Sequence, residues 1–295
     1  METTLFQGLI IAAAVSLAAT FVFLAVAKTG LVVTRRSRRR SAFAGAILLE
    51  AGHRFRQQMT SVDATTSVHL TAALMFLIVF LTVSFIRAPA PAMAVPSWAW
   101  VVGAIVVASG VSFIPYSVVR LLHQRARLVY VRDAHIAVGH ALHGTSMRGS
   151  RVFHEVTVGR VVIDHVVVGS SGVYAVNVVV RTRRRAMFAR EARYASLDND
   201  GLDFDGAKDT AAVASSLRKA GQLSAMLSKV TTEPVKARSV IAVPGWRVGG
   251  PSQDHILLVN EKNLVMLTGW TSKESYLMDE DVEQIIKYLS NRCRA

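Results

Sequence analysis

Three apolar runs free of charge dominate the first 120 residues: Leu5 to Ala27, Val68 to Ile86 and Ser97 to Val119. Crossing ~30 Å of hydrocarbon takes about 20 residues at 1.5 Å per residue. Soluble helices seldom run so far without a charge. The runs therefore predict three transmembrane helices, over about 5–27, 68–86 and 97–119. Between the first two, Phe43, Ile47, Leu48, Ala51, Phe55 and Met59 recur at helical spacing, and Glu50 and Arg54 stand four apart. This predicts a helix over 41–59, lying on the inner leaflet or packed on the soluble domain.

Beyond Val119 the pattern shortens. Residues 133–143 suit a short helix, and the valine-rich stretches Val152 to Val158, Arg160 to Val168 and Val173 to Val180 read as strands. The last two are almost continuously apolar, which suits central strands covered on both faces. Asp209 to Lys229 reads as a helix burying Ala212, Leu217, Leu223, Met226 and Leu227. Val235 to Val243 is a further strand closed by Pro244-Gly245, and Ile256 to Val259 a short one. Asp279 suits the cap of a last helix with acids in its first turn and Lys287, Arg292 and Arg294 at its end. The expected fold is α/β: a membrane domain over 1–120, then a domain over 121–295 with a mixed central sheet flanked by helices.

Composition agrees with the spans: 52% of the residues are hydrophobic and the mean hydropathy is +0.36. Lys and Arg number 34 against 20 Asp and Glu, a net +14. That excludes an acidic solvating chain and admits anionic lipid or nucleic acid as partner. The charges also orient the chain. Lys28, Arg35, Arg36, Arg38, Arg39, Arg40, Arg54 and Arg56 lie between the first two runs, the link 88–96 has none, and Arg120, Arg125, Arg127 and Arg132 follow the third. The positive-inside rule then puts the N-terminus outside and everything after Arg120 in the cytoplasm, in a bacterial inner membrane. Trp98 and Trp100 fall at the outer interface and Tyr116 at the inner one. Met1 to Thr4 holds no basic residue and the basic cluster follows the first run, so that run reads as a span, not a signal peptide. The single cysteine, Cys293, excludes a disulfide framework and a multi-cysteine zinc site.

Candidate chemistry starts at Ile163-Asp164-His165, an acid inside an apolar strand, followed by the turn Gly169 to Gly172 and the strand Val173-Tyr174-Ala175-Val176-Asn177-Val178-Val179. Further on come a long helix, a strand ending in Pro244-Gly245-Trp246, the triplet Asn260-Glu261-Lys262 and a terminal helix. Over roughly 130–292 this resembles the NERD (nuclease-related) domain family of the restriction-endonuclease-like superfamily. The resemblance implies that fold. It also implies a site in which an Asp and a Glu-x-Lys pair on adjacent strands hold a divalent metal for phosphodiester cleavage. Here Asp164 is retained, but Asn177 stands in the Glu position, Val179 in the Lys position, and His135 aligns with a helical Glu of the family. Asn is a poor substitute for a carboxylate at a magnesium site, and Val carries no charge. Asp164 then reads as a remnant, and a satisfied structural polar group. Asp209 and Lys219 are the residues through which a rearranged site would have to work.

Arg181, Arg183, Arg184, Arg185, Arg190 and Arg193 follow the altered strand and suit phosphate or anionic headgroups alike. Asp198, Asp200, Asp203 and Asp205 lack the glycine and helix pair of a calcium loop and read as a hairpin turn. His135, His140 and His143 lack the ligands of a metal site. The expectation is a membrane-tethered, non-cleaving module that binds nucleic acid, a lipid surface, a protein partner or a second copy of itself. It carries no cofactor. The alternative is a metal-dependent nuclease with a rearranged site, for which Mg2+ would be required.

Overall fold

The computed structural model describes residues 48–85, 97–146, 149–181, 194–198, 201–249, 255–270 and 276–293, with the single positions 18 and 20. Among these the chain forms two compact units. One holds positions 18 and 20 and Gln57–Leu128; the other takes in the described residues of Ser41–Arg56 together with those from Val129 on.

Two helices make the first unit. Helix α1 covers His53–Phe85 and α2 covers Ser97–Ser146. Asp63 of α1 and Arg125 of α2 form an ion pair of 2.6 Å. Among the described residues one helical stretch, His53–Ile78, is long and apolar enough to cross a membrane by length and composition. Leu70, Leu74, Leu77 and Ile78 on it are exposed. The expected span 5–27 lies outside the described residues but for positions 18 and 20. The expected span 97–119 is helical throughout, and the helix runs on through residue 115.

The second unit is a mixed α/β fold with two sheets. Strands β1 (Arg151–Val158), β2 (Val161–Gly169) and β3 (Gly172–Val178) form an antiparallel meander. β7 (Ala237–Ala242) and β9 (Ile256–Val259) extend it in parallel, in the order β1-β2-β3-β7-β9. The smaller sheet has the order β6-β5-β4-β8, from Ala207–Asp209, Gly201–Phe204, Tyr194–Asp198 and Arg247–Gly249. Alternation along the strands buries both faces of the central sheet. Val166, Val168, Val173 and Ala175 pack with α3 (Thr210–Leu227) and α4 (Asp279–Arg292). Val167, Tyr174 and Val176 pack with Val138 and Leu142 of α2 and with the 3-10 turn Leu264–Thr268. The smaller sheet buries Leu197, Leu202 and Phe204 against Ile241, Ile256, Leu258 and Trp246.

Four expectations change. Residues 48–52 are not helical: Leu48 is a bridge residue, a turn occupies 51–52, and the helix begins at His53. The Leu49 N–H donates to the carbonyl of Cys293, a contact between distant parts of the chain that holds this segment extended. The helix expected over 133–143 is the end of the 50-residue α2. On α3 the buried stripe is Ser216, Ala220, Leu223 and Leu227, and Leu217 is exposed. The stripe is rotated because Ser216 bonds a polar partner beneath the helix, described below. Asp198, Asp203 and Asp205 belong to β4, β5 and the turn after β5, as a hairpin requires, and Asp200 lies outside the described residues. Asp279 is the first residue of α4 and not its cap.

Candidate functional site

Asp164 lies where the ladders on both sides of β2 are interrupted. Glu155, its counterpart on β1, has φ of +53°, a left-handed conformation rare for a side chain of this size. On the other side the β2–β3 pairing ends at His165 and Val176. The Val178 N–H donates instead to Asp164 Oδ2 at 2.9 Å. The carboxylate thus replaces a strand carbonyl. Its second oxygen accepts from Arg54 Nη2 at 2.6 Å. Asp164 is 3% exposed.

Arg54 enters this position from the first turn of α1. Its backbone N–H donates to both carboxylate oxygens of Glu155, each at 3.0 Å. Glu155 thereby satisfies a helix N-terminal N–H, and a carboxylate there is favoured by the helix dipole. The sequence pairing of Glu50 with Arg54 gives way to a different one: Glu50 pairs with Arg56 at 3.1 Å, and Arg54 turns inward to Asp164.

Three imidazoles surround the ion pair. His135 of α2 places Nδ1 at 4.0 Å from Asp164 Oδ1. His165 and His154 share a hydrogen bond between their Nδ1 atoms at 2.7 Å, and the His135 and His165 rings stand 5.9 Å apart. Burial pushes His135 and His154 down to about 4. It holds His165 well below the ordinary imidazole range, reinforced by His154, His135 and Arg54. Burial also raises the Glu155 carboxyl, against the Arg54 N–H and charge. Lys219 of α3 is lowered by burial, while Asp164 pulls it up and Arg54 pushes it down. The lysine is therefore within electrostatic reach of both.

Asn177 of β3 and Val179, one residue beyond the strand, have different surroundings. Asn177 is buried, and its Nδ2 donates to Ser216 Oγ at 2.9 Å; Ser216 in turn bonds Ser239 Oγ at 2.7 Å. Val179 packs against the core of the smaller sheet. A serine-bonded amide and an apolar contact therefore occupy the two positions expected from the sequence to align with a Glu and a Lys.

The structure brings together Asp164 and His135 from the sequence reading, and Lys219 interacts electrostatically with Asp164. The structure leaves Asp209 apart: Asp209 caps α3 through the Ala212 N–H at 3.0 Å and pairs with Arg181. Burial would raise the Asp209 carboxyl, but these hydrogen bonds and the Arg181 charge hold it below its ordinary value. Arg181 is thus an engaged side chain, and its carbonyl also accepts from Trp246 Nε1 at 3.4 Å. Arg183, Arg184, Arg185, Arg190 and Arg193 lie outside the described residues. Arg54, His154 and Glu155 were not singled out for this site. Glu155 carried a usable signal, a lone acid in an apolar strand like Asp164 itself. Pro244-Gly245-Trp246 and Asn260-Glu261-Lys262 form one corner: Glu261 accepts from the Gly245 N–H, and Asn260 donates to the Trp246 carbonyl.

A magnesium ion fits this donor set poorly. Among the described residues no three His, Cys, Asp or Glu side chains come close enough to hold a metal, and a guanidinium already faces Asp164. No family model, curated protein or solved structure matches the chain.

Proposed function

We propose that the chain is a membrane-tethered NERD-like module that does not cleave nucleic acid and binds a polyanion on the cytoplasmic side. The observation that carries the first half is the engagement of both Asp164 oxygens by groups of the chain itself. One oxygen is held by the Arg54 guanidinium and the other by the Val178 N–H. A cation built into the chain meets the charge that a catalytic metal would meet, and it supplies neither a bound water nor an open coordination position. The meander followed by a helix and a parallel strand supports the restriction-endonuclease-like reading. The exposed apolar side chains of α1 support a membrane span. The polyanion half rests on the six-arginine stretch and the net charge of +14.

The test uses the purified full-length chain. It should show no cleavage of single- or double-stranded DNA or RNA with Mg2+ or Mn2+. Its binding to duplex DNA or to anionic liposomes should weaken steeply with salt. Replacing Arg183, Arg184 and Arg185 by Gln should flatten that slope, and comparison of the two ligands identifies the partner. Cleavage abolished by Asp164→Ala would overturn the reading.

One observation favours the rearranged-site nuclease as a second reading. Glu155 and Lys219 supply a second carboxylate and an amine in the electrostatic neighbourhood of Asp164. On that reading Glu155→Gln and Lys219→Gln each abolish a metal-dependent cleavage that the wild type displays.

A further inference from the structure

A cavity of about 940 Å3 opens in the second unit, between the extended segment 48–51, the last turns of α2 and the start of β1. Its polar lining is basic. Arg56, Arg151, His140, His143 and His154 face it, with Glu50 as the one acid among its lining residues. Glu50 is committed to Arg56 at 3.1 Å. Arg151 has no acidic partner among the described residues. His140 and His143 sit three apart on one helix with ring centroids 6.5 Å apart. The rest of the wall is apolar, including Leu49, Ile136 and Phe153.

We propose that this cavity binds an amphiphilic phosphomonoester, with its phosphate against Arg151 and the two exposed imidazoles and its apolar body along Leu49, Ile136 and Phe153. A guanidinium fork matches a phosphate bidentately, and imidazoles add further N–H donors. One uncommitted arginine with imidazoles and no free acid selects against cations. An apolar wall selects against a bare anion. The volume falls within the ~300–1,000 Å3 of sites that enclose small ligands, which leaves room for a chain beyond the headgroup. The cavity does not depend on the proposed loss of cleavage. His154 nevertheless joins it to the Asp164 cluster through the hydrogen bond to His165.

The experiment is calorimetric titration of the full-length protein in neutral detergent with hexyl phosphate, inorganic phosphate and hexyltrimethylammonium. Hexyl phosphate should bind saturably, at least about tenfold more tightly than either other probe, the size of one charge-assisted contact or a few buried CH2 groups. Arg151→Gln should weaken it about tenfold or more and Arg151→Lys by less, with the thermal midpoint unchanged because Arg151 is exposed. Arg247→Gln, an exposed arginine on β8 away from the cavity, should leave it unchanged. Equal binding of hexyl phosphate and hexyltrimethylammonium, equal binding of inorganic phosphate, no saturable binding, or no effect of Arg151→Gln would each overturn the proposal. The ligand's source is read in nanodiscs. A thermal midpoint raised by phosphatidate over phosphatidylcholine, and lost in Arg151→Gln, assigns the headgroup to membrane lipid. A rise given only by soluble hexyl phosphate assigns it to a free ester.

Discussion

Asp164 is 3% exposed and bonded by a guanidinium that is itself about a third exposed. Breaking a fully buried pair from one side costs about 3–5 kcal/mol, because the remaining charge is left without a partner. Water reaches part of Arg54, so Asp164→Ala should cost less, about 1–3 kcal/mol. The double substitution Arg54→Met with Asp164→Leu should recover much of that loss, since it removes both charges together. Denaturant unfolding of the wild type, Arg54→Met, Asp164→Leu and the double variant in neutral detergent gives the coupling directly. The neighbouring imidazoles make stability depend on pH. His135 and His154 titrate at about 4 when folded and near 6.5 when unfolded. Between these values the unfolded chain binds protons that the folded one refuses, so their stability is complete above pH 6.5 and lost as pH falls toward 4. By pH 5 the loss should be about 1–2 kcal/mol per imidazole. The raised Glu155 works in the opposite direction, disfavouring the fold as pH rises through its elevated value. Asp164, Arg54 and Lys219 supply the surrounding charge. Unfolding midpoints from pH 7.5 to 5 should fall, and His154→Phe should flatten the fall; a midpoint that rises on acidification would show that Glu155 dominates.

At the scale of elements, capping is the easiest contribution to isolate. Asp209 precedes α3 with an extended backbone, and its side chain accepts the Ala212 N–H. Asp209→Ala should cost about 1 kcal/mol by thermal unfolding, with little added by loss of the half-exposed Arg181 partner. The extent of this helix was legible because amphipathic spacing is a local signal, whereas Asp209 read as a candidate site residue and not as a cap. Also legible were β1, β2 and β3, whose valine-rich runs are bounded by turn residues, and the short apolar β9. The 48–52 segment was not. Its apolar spacing reads as helix, but the Leu49 N–H is taken by Cys293 and the Arg54 N–H by Glu155, 101 residues away. Contacts of that range have no trace in a window of sequence. The three-residue β8 was missed for a related reason: it pairs with β4 in parallel and leaves room for only a glycine at Gly249, where the Tyr194 ring fills the space a Cβ would need. The site divides the same way. Asp164 stood out as an acid in an apolar strand. Its partner came from a helix start that sequence reasoning had assigned to the membrane surface.

For the molecule as a whole, orientation is the property on which the cytoplasmic reading depends, and loop charge is the argument for it. Eight basic residues lie between the first two apolar runs, the link 88–96 has none, and four follow the third run within a short distance. Retaining Lys and Arg on the cytoplasmic side is favoured most strongly for charges within about 15–20 residues of a span. The three runs give the same answer, so no single loop carries the inference. Alkaline phosphatase fused at residue 1 or within 89–95 should be active, and fused at residue 295 inactive; a fluorescent protein that matures only in the cytoplasm should show the reverse. Replacing Arg35, Arg36, Arg38, Arg39 and Arg40 by Gln should weaken the preference and yield a mixed population. Activity of alkaline phosphatase at both ends would mean an even number of crossings. The exposed α1 stretch His53–Ile78 would then be the first span to re-examine, because Asp63 within it is paired with Arg125. An ion pair of that kind lowers the cost of placing charge in the bilayer, and it equally suits two helices packed at a membrane surface. An extracellular C-terminus would remove nucleic acid and the inner leaflet as partners for the arginine stretch, and with them the polyanion half of the proposed function.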